Sequence, residues 1–325
     1  MHIHPELRAL RGHDAPQRKA QIALRDAWEA WRRDGPGAQV EAEVASFGKD
    51  VPVEDLPFLA MLFAPQDLGA RDFAASLIET FAPHLQAEPL GQVPLRYSSD
   101  DVVSAVMIVR HGATSLSLQA VDGTGLARKA APKTIGFAAV ETYEKVLSGR
   151  AEAAVVRISA HRPDGADLCA REIVLEPGMG LHQSGRSETR QLHRVFGTLV
   201  TLKLQRRLSG SEFTCEYDLS DGRLVHQAAG SPRESRLELA AALLGRMGRI
   251  DAAPLLAAMA EEDGNPSLRW QALRECLGLD SALGFTTVCR LSQRADDPLA
   301  APARTLRAQL IDSYPQLAGV CQCPV

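Results

Sequence analysis

The chain of 325 residues contains none of the common catalytic motifs. It has no Gly-x-Ser-x-Gly nucleophile elbow, no Walker-type glycine loop that ends in Lys-Ser or Lys-Thr, no Gly-x-Gly-x-x-Gly fingerprint and no His-Glu-x-x-His zinc motif. These absences remove the best-known hydrolases, nucleotide-binding enzymes and zinc proteases. They leave open an enzyme of another type, so the sequence favours a non-catalytic role without excluding catalysis.

The sequence also has no long apolar run and no excess of positive charge, and it has few cysteines. No stretch approaches the roughly 18 apolar residues of a membrane span, and the first residues have no apolar leader core. The net charge of -4 gives no positive field that would attract nucleic acid or anionic lipid. Six cysteines are too few for a disulfide scaffold, and most are expected to be reduced. We therefore predict a cytoplasmic protein with neither a nucleic-acid nor a membrane partner.

Residues 1–94 show the periodicity of amphipathic helices. Leu24, Trp28 and Trp31 recur at i, i+4 and i+7, which places two large aromatic side chains on one helix face. A later stripe has the same period and consists of Phe73, Ala74, Leu77, Ile78 and Phe81. The pattern predicts an N-terminal helical segment that must pack on another layer.

Between residues 95 and 230 the apolar period changes to two. The stretch from Ser115 to Val121 alternates cleanly, and several further short strands are separated by Pro-Gly, Ser-Gly and Asp-Gly turns. No helical pattern interrupts these strands, so a parallel Rossmann-type sheet is disfavoured. About eight short strands in this order predict an antiparallel barrel or sandwich.

Residues 231–325 carry an internal repeat. Pro232, Pro266 and Pro298 are each followed by an arginine and then by an Ala/Leu-rich stretch, and the spacing of about 33 residues is typical of stacked helix pairs. The segments 265–273 and 297–299 resemble HEAT repeats in their order of Asp or Asn, Pro, Arg and Ala-Leu. HEAT-like arrays commonly act as protein-binding scaffolds, so the resemblance implies a protein partner.

The segment 175–185 resembles the second half of a cupin barrel, because a Pro177-Gly178 turn precedes His182 near the start of a strand. In metal-binding cupins, imidazoles and a carboxylate converge from neighbouring strands. The resemblance implies an iron, manganese or zinc site with Glu188 as a carboxylate and with three imidazoles, those of His182, His193 and His226. The first cupin motif, with two histidines one residue apart, is missing from the β region. The only His-x-His pair is His2/His4, at the terminus.

A cluster of basic residues offers a second candidate site, which consists of Arg186, Arg190, Arg194, Lys203 and Arg206. On the strand that contains Lys203, the residues Thr201, Lys203 and Gln205 share one face, and Leu202 and Leu204 occupy the other. One interpretation is a solvated sheet face. The other is a docking patch for carboxylate, phosphate or a protein partner, built on guanidinium groups.

Together these patterns predict an α+β chain with an N-terminal helical segment (1–94), a central antiparallel β-barrel or sandwich of cupin-like character (95–230) and a C-terminal HEAT-like helical array with a short tail (231–325). The predicted function is that of a non-catalytic binding or accessory protein without a cofactor, which holds a protein partner on its helical-repeat and sheet surfaces. A homodimer is a further expectation. The alternative is a metal-dependent cupin-type enzyme, either a small-molecule dioxygenase or an isomerase. The pair Cys321/Cys323 in the tail has no assigned role.

Overall fold

The computed structural model describes residues 8, 12–65, 68–208 and 213–322, which excludes His2, His4 and Cys323. The chain divides into two compact units. The first contains the described residues up to 208 together with Glu216–Val225, and the second contains residues 213–215 and those from His226 onward. The helices before residue 95 and the strands after it both lie in the first unit, where they share one core.

The first unit begins with four helices: α1 (Ala15–Arg33), α2 (Pro36–Phe47), α3 (Pro57–Phe63) and α4 (Gly69–Ala87). Helix α1 buries Leu24, Trp28 and Trp31, as their spacing predicts. The two indoles stack with a centroid distance of 5.0 Å, and Phe73 and Phe81 of α4 pack on them. Burial of such aromatic side chains is a main source of stability in a layer of this size.

The strands of the first unit follow the helices: β1 (Arg96–Ser99), β2 (Val103–His111), β3 (Thr114–Asp122), β4 (Thr134–Phe137), β5 (Val140–Arg162), β6 (Gly165–Leu175), β7 (Gly180–Ser184) and β8 (Glu188–Arg207). A short helix, α5 (Gly123–Arg128), stands between β3 and β4, where a simple turn was predicted. The chain then continues into β9 (Phe213–Asp218) and β10 (Leu224–Ala229).

Seven strands form one antiparallel sheet in the order β1-β2-β3-β8-β5-β6, with β7 also paired to β5. A smaller sheet has the order β10-β9-β4. Within the described strands these pairings do not close into a ring, so the predicted barrel is not formed, and the arrangement is that of open antiparallel sheets.

Side chains alternate along β8 as predicted. Leu202 and Leu204 enter the core that the sheet shares with α1 to α4. Lys203 and Gln205 lie on the other face, where they line a polar cavity. The period of two thus assigns one face of the sheet to the helices and leaves the opposite face for polar groups.

The second unit contains α6 (Pro232–Arg246), α7 (Ala253–Glu261), α8 (Pro266–Leu279), α9 (Ser281–Gln293) and α10 (Ala300–Ser313). Ser231, Asn265 and Asp280 cap α6, α8 and α9 by accepting backbone N–H groups. The five helices share one apolar core, so a packed helical unit is present, while its HEAT-like character stays a prediction. No helix in the described part of the chain is long and apolar enough to cross a membrane.

Two cysteines of the second unit are buried in helices. Cys276 is a free thiol, and Cys289 is disulfide-bonded. Cys169 of the first unit and Cys215 are free thiols.

Candidate functional site

The polar face of the large sheet bears a cavity of about 200 Å³, half open to solvent, between β5, β7 and the two ends of β8. Its lining is mostly polar and consists of Gly136, Ala138, Val140, Thr142, Glu144, Gln183, Gly185, Glu188, Thr189, Arg190, Lys203 and Gln205. Nearly all of these residues lie on strands, so a rigid element positions each side chain.

Strand register explains the positions of five of the twelve lining residues. Thr142 of β5 lies opposite Gln205 of β8 and Gln183 of β7, and Glu144 lies opposite Lys203. Directly opposed residues of an antiparallel pair point to the same face. Two alternate positions of β5 therefore bring these five side chains together on one face.

Arg190 reaches the same cavity only because the sheet is bent. It pairs with Val155, 11 residues beyond Glu144 on β5, a separation of about 36 Å along a flat strand. Its Nη2 nevertheless donates to Glu144 Oε1 at 3.0 Å. Register shifts in the β5·β8 pairing between Val146 and Ala153 supply the bend, as bulges do.

Gly149 stands in the middle of this irregular segment. Its φ is +89°, in the region that favours glycine, and a Cβ atom at this position would lie 2.2 Å from the carbonyl oxygen of Thr198 in β8. A glycine is therefore required for the two strands to approach at the bend. The bend in turn places Arg190 over Glu144.

The charges in the cavity are unequal. Glu144 is 3% exposed and accepts from Arg190, while Lys203 lies opposite it. Burial lowers the pKa of Lys203 from its usual value, the carboxylate of Glu144 acts in the opposite direction, and the charge of Arg190 lowers the pKa further. Glu188 is paired with Arg157. Glu144 alone therefore balances Arg190 and Lys203. With Arg157 and Glu188 included, three cations face two carboxylates, an excess of one positive charge.

Three hydrogen-bond donors of the cavity lining have no partner in the described structure. They are Nε and Nη1 of Arg190 and Nε2 of Gln183, a residue only 8% exposed. Buried polar groups in native proteins are almost always paired, and each unpaired group costs about 1 to 3 kcal/mol. All three are N–H groups, so the missing partner is an acceptor.

The basic cluster predicted from the sequence does not form a single patch. Arg190 and Lys203 meet in the cavity, whereas Arg206 lies on the opposite face of β8, where its guanidinium contacts the ring of Phe47. Arg194 lies over the ring of Phe196, and Arg186 is in the turn between β7 and β8. Successive side chains of a strand point to opposite faces, and Lys203 and Arg206 are three positions apart on β8. They therefore lie on opposite faces of the sheet.

Arg206 belongs to a second cluster, on the helix side of the sheet. Its Nε donates to Glu141 Oε2 at 2.5 Å, and the Oε1 atom of the same carboxylate is 2.9 Å from Nε2 of His182. Burial raises the pKa of Glu141, but the hydrogen bonds from His182 and Arg206 outweigh burial and leave the pKa lowered. Burial raises the pKa of Tyr143, whose ring stacks on His182 at 4.2 Å.

The three predicted metal ligands are not assembled around one point. His182 lies on β7 beside Glu141, and His193 lies on β8, where its Nδ1 is 3.4 Å from Glu172 Oε2. His226 is exposed on β10 in the second unit. Among the residues that the structure describes, no group of three or more His, Cys, Asp or Glu side chains is placed to hold a metal ion.

Sequence reasoning missed Glu144, Thr142 and Gln183. Residues 140–152 were not predicted as a strand, whereas β5 begins at Val140. The alternation of Val140, Thr142, Glu144 and Val146 with Glu141, Tyr143 and Lys145 was the available signal. Polar residues occupy both faces of this part of β5, so the usual pattern of one apolar and one polar face is absent.

No protein-family model and no curated protein matches the sequence. Solved structures with some similarity include KdgF from Halomonas sp., which is 11% identical, with 35% of this chain and 88% of KdgF covered and a TM-score of 0.25. The iron(II) form of HppE is 13% identical, with 34% of this chain and 55% of HppE covered and a TM-score of 0.25. Ectoine synthase from P. lautus is 11% identical, with 36% of this chain and 72% of the synthase covered and a TM-score of 0.23. These similarities cover about a third of the chain, and the cupin-like character of residues 95–230 stays a prediction.

Proposed function

We propose that this chain is a non-catalytic binding protein whose polar cavity holds a small molecule through a carboxylate group. The observation that carries the proposal is the set of three buried N–H donors without partners, on Arg190 and Gln183. A carboxylate supplies acceptor oxygens only, and it forms stronger hydrogen bonds with a guanidinium than a neutral acceptor does.

Charge favours a monoanion over a phosphate. The cavity has one positive charge in excess, contributed by Arg190 and Lys203 against Glu144. A carboxylate brings the buried groups to neutrality, whereas a doubly charged phosphate leaves a net negative charge out of water, which is unfavourable. A cationic ligand would increase the imbalance.

Size limits the ligand further. A cavity of about 150 Å³ holds benzene, so a volume of about 200 Å³ accommodates a molecule of about six to ten non-hydrogen atoms. Pyruvate and benzoate are acids within or near this range. The Thr142 hydroxyl, which accepts from Gln205 Nε2 at 3.2 Å, is an additional polar group for the remainder of such a molecule.

The lining residues support binding without catalysis. They include no cysteine, no serine and no histidine, and the two carboxylates are each held by an arginine. General base catalysis requires a base that is free to take a proton, and among the lining residues Lys203, with its lowered pKa, is the one group of that kind. The same donor set does not fit a divalent metal, because it contains no imidazole and places two cations beside the carboxylate.

Calorimetric titration of the full chain with pyruvate, benzoate, benzamide and inorganic phosphate tests the proposal. We expect the carboxylates to bind and to lose at least about ten-fold in affinity in Arg190→Gln, since a hydrogen bond to a charged group contributes about 1.5 to 3 kcal/mol. Arg194→Gln is the matched control, because Arg194 is on the same strand and contacts Phe196 instead. Equal binding of benzamide and benzoate, or an unchanged affinity in Arg190→Gln, would refute the carboxylate site.

A further inference from the structure

Helix α6 of the second unit leaves a row of large apolar side chains in solvent. Leu239, Leu243 and Met247 recur every four residues and are 71%, 54% and 59% exposed. On the opposite side of the helix Ala241 is buried, and Leu244, about 100° from the centre of the row, packs against the core of the unit. Helix α6 therefore has apolar residues both on the side that packs on the core and on the side that faces solvent. The exposed row of Leu239, Leu243 and Met247 is here termed the α6 stripe.

Arginines border the α6 stripe at both ends. Arg236 precedes Leu239 by three residues and Arg246 follows Leu243 by three residues, so both lie on the face of the stripe. Arg233 is a further exposed cation in the first turn. The acidic residues of the helix lie elsewhere: Glu234 accepts from Asn265, and Glu238 is about 140° around the helix from the centre of the stripe. The exposed face therefore combines apolar side chains with positive charge alone.

This charge pattern identifies the kind of partner. A second copy of the chain would bring Arg236 next to Arg246 in an antiparallel pairing, and next to the other Arg236 in a parallel one, so like charges meet in either case. A membrane surface is disfavoured as well, because the stripe has three apolar side chains, no aromatic residue and no lysine, while interfacial helices bury a larger apolar face. A partner helix with an apolar stripe and acidic flanks complements both the apolar residues and the arginines of α6.

We infer that α6 docks an amphipathic helix of a partner protein, with apolar residues at i, i+3 or i+4, and i+7 and with Asp or Glu at both flanks. Pairing the two apolar stripes removes Leu239, Leu243 and Met247 from water. The acidic flanks then meet Arg236 and Arg246. This surface goes beyond the carboxylate cavity and does not depend on it, since Arg190→Gln should leave binding at α6 unchanged.

Two designed peptides of about 18 residues provide the probe, with the same leucine stripe and with flanks of glutamate in one and lysine in the other. Fluorescence anisotropy with the full chain should show the glutamate peptide binding at least roughly ten-fold more tightly, as expected from two or three exposed charge pairs. Leu243→Ser should abolish binding and Arg236→Ser/Arg246→Ser should abolish the preference for glutamate. Tyr314→Ser, which replaces another exposed apolar residue of the same unit, should change neither.

The alternatives give distinct results. Binding of both peptides with equal affinity, or of neither, would overturn the inference. A dimer in sedimentation experiments that dissociates in Leu243→Ser would assign the stripe to a second copy, and binding to vesicles of anionic lipid that is lost in the same variant would assign it to a membrane. Circular dichroism of Leu243→Ser checks that the helix is retained, which its exposed position leads us to expect.

Discussion

Replacement of Glu144 by glutamine removes the negative charge that balances Arg190 and Lys203 in the polar cavity. Glu144 is 3% exposed and Arg190 is 12% exposed, so the two cations would remain out of water without a counter-charge. Breaking a buried ion pair by removal of one partner costs about 3 to 5 kcal/mol. We expect this loss in the free energy of unfolding of Glu144→Gln, a large part of the roughly 5 to 15 kcal/mol that stabilises a typical domain.

The pH dependence of the variant provides a second signature. The pKa of Lys203 is already lowered by burial, and Glu144 counteracts that lowering, so Glu144→Gln should lower the pKa further. The unfolded chain then binds more protons than the folded chain between the lowered pKa and about 10.4, so stability should rise with pH across that window more steeply than in the parent. Urea unfolding at several pH values measures both effects.

Carboxylate binding should change in the opposite direction to stability. With Glu144 replaced and Glu188 held by Arg157, the cavity of Glu144→Gln should bind benzoate more tightly than the parent does, and added benzoate should recover part of the lost stability. A loss of less than about 1 kcal/mol in Glu144→Gln, together with an unchanged pH profile, would contradict the description of the cavity as a buried and charge-unbalanced site.

Three further predictions concern the rest of the chain. Asp297→Asn should destabilise the second unit by about 3 to 5 kcal/mol, because Arg269 is 5% exposed and pairs with Asp297 at 2.5 Å. Burial raises the pKa of Asp297 but the bond from Arg269 lowers it overall, so the parent should lose stability below about pH 4 in thermal unfolding, and the variant should lack that loss. Trp270→Ala should cost about 2 to 3 kcal/mol in urea unfolding, less than for a fully buried indole, because Trp270 is half-buried against the helical core. Protein purified without a histidine tag should contain less than about 0.1 equivalent of iron, manganese or zinc by elemental analysis, and stoichiometric metal that disappears in His182→Ala would favour the cupin-type enzyme.

Local periodicity was sufficient to predict the faces of β8 and of α1. Lys203 and Gln205 lie together on one face because side chains alternate along a strand, and Trp28 and Trp31 are buried together because they share a helix face. Such features depend on neighbours in the sequence, and no knowledge of the tertiary structure is needed to infer them.

The cavity itself depends on the bend of the sheet, which no local pattern indicates. Arg190 and Glu144 are 46 residues apart, and they meet because the pairing of β5 with β8 shifts register around Gly149. The sequence contains 25 glycines, and nothing in the residues around Gly149 indicates that a strand bends there. The exposure of Leu239 and Leu243 could not be predicted from the sequence either. A helix with apolar residues on two sides shows the same spacing whether both sides are buried or one side faces solvent.

Because the bend brings together two distant parts of the same strand pair, a carboxylate in the cavity would act as a clamp across it. Arg190 belongs to one arm of the bent sheet, and Glu144 and Lys203 belong to the other. A bound carboxylate would add further contacts between the two arms beside the bond from Arg190 to Glu144. A ligand at one hundred times its dissociation constant would stabilise the folded chain by about 2.7 kcal/mol.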